Sequence, residues 1–224
     1  MPDVVSCVIL GGGGHARVLI DALQENRSPH GLAVVDRDAA RWGTTLFDVP
    51  IVGGDECIGR LVADGATHFI VGLGASADNG PRRRLFDAAL AAGLVPLTII
   101  HPRASVSRRA QIGRGSQLLA GAIVNAGAIV GEHVIVNSGA IVEHDCTVGD
   151  HAHIATGARL ASGVRVGAGA HVGAGATVRQ LIVIGEDAIV GAGAVVVKNV
   201  APRQIVAGVP AAPLERHARV ASAR

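Results

Sequence analysis

Five histidines fall between positions 133 and 171: His133, His144, His151, His153 and His171. Imidazole is the side chain that exchanges a proton near neutral pH, and it is also a frequent metal ligand. His144 is the best placed for acid–base work, because Glu143 and Asp145 flank it in VEHDCTVGD (142–150). A carboxylate beside an imidazole fixes its tautomer and leaves the other ring nitrogen free to take a proton. Neighbouring residues on a flat strand face opposite ways, so Asp145 reaches His144 only at a corner or across an interface. For His133, His151 and His171 the sequence favours solvated corner positions. A zinc site would need a third imidazole that the spacing does not supply, so no metal ligand is assigned. Cys146 is a rival nucleophile, but it falls in a series of small residues that reads as buried packing.

The second constellation is GGGGHA (11–16), with Gly11, Gly13 and Ala16 matching G-x-G-x-x-G/A. It follows the apolar run VVSCVIL (4–10) and opens a helical stretch over His15 to Gln24. A glycine turn at a helix N-terminus exposes backbone N–H groups to phosphate. Asp36, about 20 residues on, can accept hydrogen bonds from a ribose or base. Only half of a dinucleotide fold precedes the change of pattern described next, which favours one nucleotide carrying a sugar over NAD.

Two kinds of element must position these residues. Over residues 1–102, short apolar runs alternate with amphipathic stretches: LAVVD (32–36), THFIVGLG (67–74), a helix over Pro81 to Ala92, then VPLTII (95–100). That alternation predicts a parallel sheet covered by helices. From Val106 every sixth residue is Val, Ile or Leu, without a break, through Ile112, Leu118 and Val124 to Val196. Four residues after most anchors sits a small one, such as Ala122, Ala140, Cys146 or Ala158. A six-residue period fits a β-solenoid whose three-sided coil brings residues 18 apart into register. Gly or Asn commonly follows an anchor, as at Gly149 and Asn137, and is expected to supply the corner conformation. The predicted organisation is therefore an α/β domain over 1–102, a β-helix over 103–200 and a C-terminal tail over 201–224.

Composition narrows the function. A net charge of +2 with no basic run leaves no footprint for nucleic acid. The four aromatic residues, Trp42, Phe47, Phe69 and Phe86, all precede the solenoid, so it has no stacking platform for bases. No apolar stretch is long enough to span a bilayer. The N-terminus does not read as a signal peptide, and three scattered cysteines do not form a disulfide framework. A cytoplasmic location is expected.

The hexapeptide run, GGGGHA, Asp36, VGLG (71–74), VNSGAIVEHDC (136–146) and GVPA (208–211) together resemble a known group. They are similar to the sialic-acid O-acetyltransferase-like group of left-handed β-helix acyltransferases. That group includes N-acetyltransferases of nucleotide-linked 4-amino sugars in bacillosamine and perosamine synthesis. The resemblance implies a Rossmann-like half-domain followed by a left-handed parallel β-helix. It also implies an acetyl-CoA-dependent transfer to the amine of a UDP- or GDP-linked 4-amino-4,6-dideoxy sugar, and a homotrimer with sites between adjacent solenoids. His144 then matches the general base, Asp145 its supporting acid and Asn137 a further active-site residue. His153, Ala174 and Ala192 match acetyl-CoA contacts. Gly13, Gly14, His15, Asp36, Arg37 and Gly74 match nucleotide-sugar contacts. Three alternatives remain open on the residues themselves: O-acetylation of a sugar, a metal-dependent hydratase on the same solenoid, and a non-catalytic nucleotide-binding scaffold.

Overall fold

The computed structural model describes residues 6–26, 31–75 and 78–214. The first half is a sheet flanked by helices. Its strands are β1 (Cys7–Leu10), β2 (Leu32–Val35), β3 (Thr45–Leu46), β4 (Val49–Gly53), β5 (His68–Val71) and β6 (Val95–Pro96), in the order β3-β4-β2-β1-β5-β6. All neighbours are parallel except the β3/β4 hairpin. Three α-helices join them: α1 (Gly14–Glu25), α2 (Ile58–Ala63) and α3 (Gly80–Ala91). The continuous apolar runs of β1 and β2 are buried because helices cover both sheet faces. Val4 and Val5 of the predicted first strand lie outside the described residues. The β3/β4 hairpin and α2 were not foreseen from sequence.

The predicted strand over 95–100 is two strands in two different sheets. The first ends at Pro96, and Ile99–Ile100 instead pairs with Gln117–Leu118 as the first rung of the solenoid. From there two-residue strands stack in parallel with the 18-residue register that the sequence predicts: Val106 on Val124, Val142, Leu160, Val178 and Val196. Three sheets of this kind close a left-handed parallel β-helix. Its interior is a continuous column of Val, Ile and Leu anchors alternating with the small series, Cys146 included. Of the segment taken from sequence as a tail, residues 201–214 continue one sheet: Ile205–Ala207 pairs in parallel with Ile189–Val190, and Ala212–Pro213 folds back on it; residues 215–224 lie outside the described residues.

Two features differ from the sequence expectation. The left-handed backbone positions come three residues after the anchors from Ile112 to Val190, not one. They hold glycine at many corners but His133, Asp145 and His151 at others, with φ of 52°, 60° and 60°. The glycine directly after an anchor answers a different constraint: a Cβ on Gly149 would fall 2.6 Å from the Ala168 nitrogen of the next coil. Nor are His133 and His171 solvated. Both are buried and His151 is half-buried, because the α/β domain covers that side of the prism. Ile99, Leu119 and Ile135 on the covered face join the core that α1 shares with the sheet.

The strand Arg159–Leu160 separates the two faces in one step, with Arg159 exposed and Leu160 buried. Leu160→Ala is expected to cost about 2–5 kcal/mol, whereas Arg159→Ala stays within about 0.5 kcal/mol. Urea-unfolding midpoints at one protein concentration check both.

Candidate active site

His144 sits between Glu143 and the left-handed corner at Asp145. The bend at that corner, φ 60° at Asp145, turns two consecutive side chains onto one side. His144 Nδ1 lies 2.8 Å from Asp145 Oδ2, so the ring donates from Nδ1 and keeps the Nε2 lone pair free. Gly127, one coil below, leaves the room: a Cβ there would come within 2.6 Å of Asp145 Oδ1. The pair faces solvent, with 55% of the His144 side chain exposed.

A separate cavity of about 320 Å³ lies on the covered side of the prism. Asn137, His153, His171, Ala174 and Ala192 line it, together with Ala75 from the loop after β5. Asn137 Nδ2 is 3.1 Å from His153 Nε2, and the rings of His153 and His171 meet edge to face at 4.9 Å. Alanine at 174 and 192 leaves that wall open. Burial lowers the His153 pKa to about 3, helped by nearby His171, Arg82 and His15; burial and Arg82 also lower that of His171. Both rings are neutral at physiological pH. His144 does not line this cavity; it lies one strand further round the coil, after Ile141–Val142, whereas Asn137 follows Ile135–Val136.

The glycine loop forms a third feature. A cavity of about 420 Å³ is lined by Gly11, Gly13, Asp36, Arg37, Asp55 and Arg84, among others. Gly13 caps α1 with no side chain over its free N–H groups, and a Cβ on Gly13 or Gly14 would meet nothing within 4 Å. The first turn of α1 is thus open to a phosphate. Asp36 is already committed: Oδ2 accepts from Gly12 N–H at 2.7 Å and from Arg41 at 3.1 Å, while Oδ1 accepts from Asp38 N–H. Asp36 lines the cavity and has lone pairs left to accept from a ligand. His15 and Gly74 pack together at the junction with the solenoid. There His15 Nε2 donates to Gln117 Oε1 at 2.7 Å, since the Gln117 amide donates to the Val71 carbonyl. Burial pulls the His15 pKa down to about 4, with the Arg82 charge lowering it further and the Gln117 bond opposing.

Sequence reasoning missed Gln117, Arg41 and Arg84. Gln117 carried no signal, because the residue before an anchor is polar or apolar at will on the uncovered faces. Cys146 is buried in the small series, and burial raises its thiol pKa, which suits packing rather than attack. The solenoid histidines pair off instead of converging: His133 Nδ1 meets His151 Nδ1 at 3.0 Å, and His153 meets His171. Among the described residues, one trio of metal-ligating types lies in mutual reach, Asp21, Glu25 and His101. It is not arranged for a metal. His101 Nδ1 accepts from Arg103 N–H at 3.1 Å, which puts the ring proton on Nε2 facing Glu25.

A glycine-capped phosphate cradle, a small-residue cavity and a His–Asp pair on a left-handed β-helix define a hexapeptide acyltransferase. Residues 6–89 match the PglD N-terminal domain, and residues 127–162 and 145–180 match the bacterial transferase hexapeptide repeat. The structure is similar to PerB from Caulobacter crescentus, solved with CoA and GDP-perosamine: 37% identity over 95% of this chain and 98% of that one, TM-score 0.88. It is also similar to the acetyltransferase domain of PglB from Neisseria gonorrhoeae, solved with acetyl coenzyme A, at 32% identity over 93% and 98% of the two chains, TM-score 0.86. WeeI from Acinetobacter baumannii shares 25% identity over 94% and 100%, TM-score 0.83. No curated protein matches the sequence. The chain belongs to the hexapeptide-repeat acetyltransferases that carry a PglD-type N-terminal domain.

The buried histidines tie stability to pH. His15 and His153 titrate in the unfolded chain near 6.5 but in the folded one near 4 and 3. Below about pH 6.5 the unfolded state binds protons that the folded state refuses. Stability is therefore full above that pH and falls toward pH 4, by up to about 1.4 kcal/mol per pH unit for each ring. Urea midpoints measured from pH 7.5 to pH 4.5 check this; a flat profile contradicts it.

Proposed function

We propose that this chain is an acetyl-CoA-dependent N-acetyltransferase acting on the amine of a UDP- or GDP-linked 4-amino-4,6-dideoxy sugar. The observation that carries the reading is the His144–Asp145 pair at 2.8 Å, with Nε2 of His144 free and facing out of its own solenoid. The coenzyme side, at Asn137, His153, Ala174 and Ala192, lies elsewhere on the same chain. A site assembled from the two needs a neighbouring copy, so the working unit is a homotrimer with His144 of one solenoid facing the coenzyme cavity of the next. The likeness to PerB and to the PglB acetyltransferase domain, at over 30% identity, supports both substrates. A cytoplasmic location fits the use of acetyl-CoA and a nucleotide sugar.

In this mechanism the glycine loop and α1 hold the diphosphate, with Gly13, Gly14, His15 and Gly74 around it and Asp36 and Arg37 toward the base. The sugar amine attacks the thioester carbonyl directly. His144 Nε2 takes the proton from the amine as the N–C bond forms, and Asp145 stabilises the resulting imidazolium. The tetrahedral intermediate then expels the coenzyme thiolate, which the imidazolium protonates. Asn137 positions the reacting groups beside neutral His153. No protein nucleophile enters, consistent with Cys146 being sealed in the core.

His144→Ala is expected to lower kcat about 10²–10⁴-fold, the usual range for a general base. It should leave the melting temperature and the trimeric mass, three times 22.6 kDa, unchanged, because the ring is half-exposed and carries little packing. Survival of activity with an unchanged pH profile would remove His144 from this role. At the other end of the site, a Cβ on Gly13 would meet nothing within 4 Å, which leaves room to test Gly13→Val. It should raise KM for the nucleotide sugar at least tenfold with KM for acetyl-CoA unchanged; equal losses in steady-state kinetics would make the loop merely structural.

A further inference from the structure

Arg82, on α3, is fully buried and has no carboxylate partner among the described residues. Its guanidinium donates instead to three oxygens: the His133 carbonyl at 3.0 Å, the His151 carbonyl at 3.4 Å and Asn79 Oδ1 at 3.1 Å. Asn79 in turn donates to the Gly169 carbonyl at 2.9 Å and the Ala170 carbonyl at 3.3 Å. Positions 133, 151 and 169 are successive rungs of one corner column, 18 residues apart. Arg82 and Asn79 therefore grip three stacked coils. On the next turn of the helix Phe86 stacks on the His133 ring at 4.3 Å. The opposite face of α3 supplies Pro81, Arg84, Leu85 and Ala88 to the nucleotide cavity.

One helix thus walls the nucleotide cavity with one face and is bolted by the other to the coils that bear His153 and His171. We propose that Arg82 is a positioning residue for acetyl transfer, locking α3 to the solenoid so that the nucleotide cavity and the coenzyme cavity keep one fixed relation. A planar fork suits the two carbonyls and the amide oxygen in a way that a lysine point charge does not. An uncompensated buried cation is costly, and a structural clamp alone is met more cheaply by neutral donors. The charge has its own consequence. Arg82 sits among His15, His133, His151, His153 and His171 and disfavours the protonated form of each. The other charged groups bearing on this row, Arg83, Asp87 and Asp150, act on His151 alone. After burial itself, Arg82 is the one influence on His171.

The two parts of the role separate in two variants of the full-length enzyme; the coenzyme part rests on the functional reading above. Arg82→Lys retains a basic nitrogen and loses the fork. It should raise KM for the nucleotide sugar at least fivefold, with KM for acetyl-CoA unchanged. Arg82→Met loses both. It should show the same rise in KM and, in addition, a ratio of CoA affinities at pH 5.5 and pH 7.5 that differs at least threefold from wild type, with the His171 resonance titrating nearer neutral by NMR. If Arg82→Met does not fold, Arg82→Lys decides the positioning role alone. Wild-type kinetics in Arg82→Lys, or equal rises in both KM values, would overturn the proposal. Should wild type bind no CoA, the functional reading fails, while the His171 titration still tests the action of Arg82.

Discussion

The molecule depends on one contact between unlike architectures: the face of a three-sided prism pressed against the α1 side of a parallel sheet. The prism closes its own core with aliphatic anchors and small residues, and needs nothing outside to fill it. Its Ile99–Ile189 face nevertheless carries Ile99, Leu119 and Ile135 into a core shared with the α/β domain. That burial supplies the apolar driving force for docking. The polar groups carried in with it must then be satisfied. Gln117 does so by joining His15 to the Val71 carbonyl, and the two terminal nitrogens of Arg82 by bonding corner carbonyls, while Arg82 Nε has no partner.

The same contact sorts the histidines into two classes. His15, His133, His153 and His171 lie under the domain, share its low polarity with a buried guanidinium, and stay uncharged. His144 lies on an uncovered corner, paired with a carboxylate and open to a partner. An imidazole that must exchange a proton with a substrate belongs in the second setting; one that lines a coenzyme wall belongs in the first. On the proposed function, a single covered face divides binding chemistry from acid–base chemistry along one short repeat.

The solenoid was legible residue by residue, because a six-residue period has no other stable use and the stacking register follows from it. The His144–Asp145 pairing was legible as a condition, a corner between them, and the positive φ at Asp145 meets that condition. The origin of the corners was misread. Glycine after an anchor suggested backbone freedom, whereas the structure uses it for close approach of successive coils and puts the left-handed residue two places later. The burial of His133 and His171 was invisible for a plain reason: nothing in a regular repeat marks which of three equivalent faces another domain will cover. Arg82 was hidden likewise, as one of three consecutive arginines on an amphipathic helix.

The central claim is that an amine on a nucleotide-linked sugar attacks the acetyl thioester with His144 as base. Thiol release from acetyl-CoA measured against a panel of UDP- and GDP-linked 4-amino sugars, each beside its 4-hydroxyl counterpart, tests it most directly. The account predicts turnover on an amino sugar and none on the matched hydroxyl sugar. Turnover confined to hydroxyl sugars, or none across the panel, would contradict it.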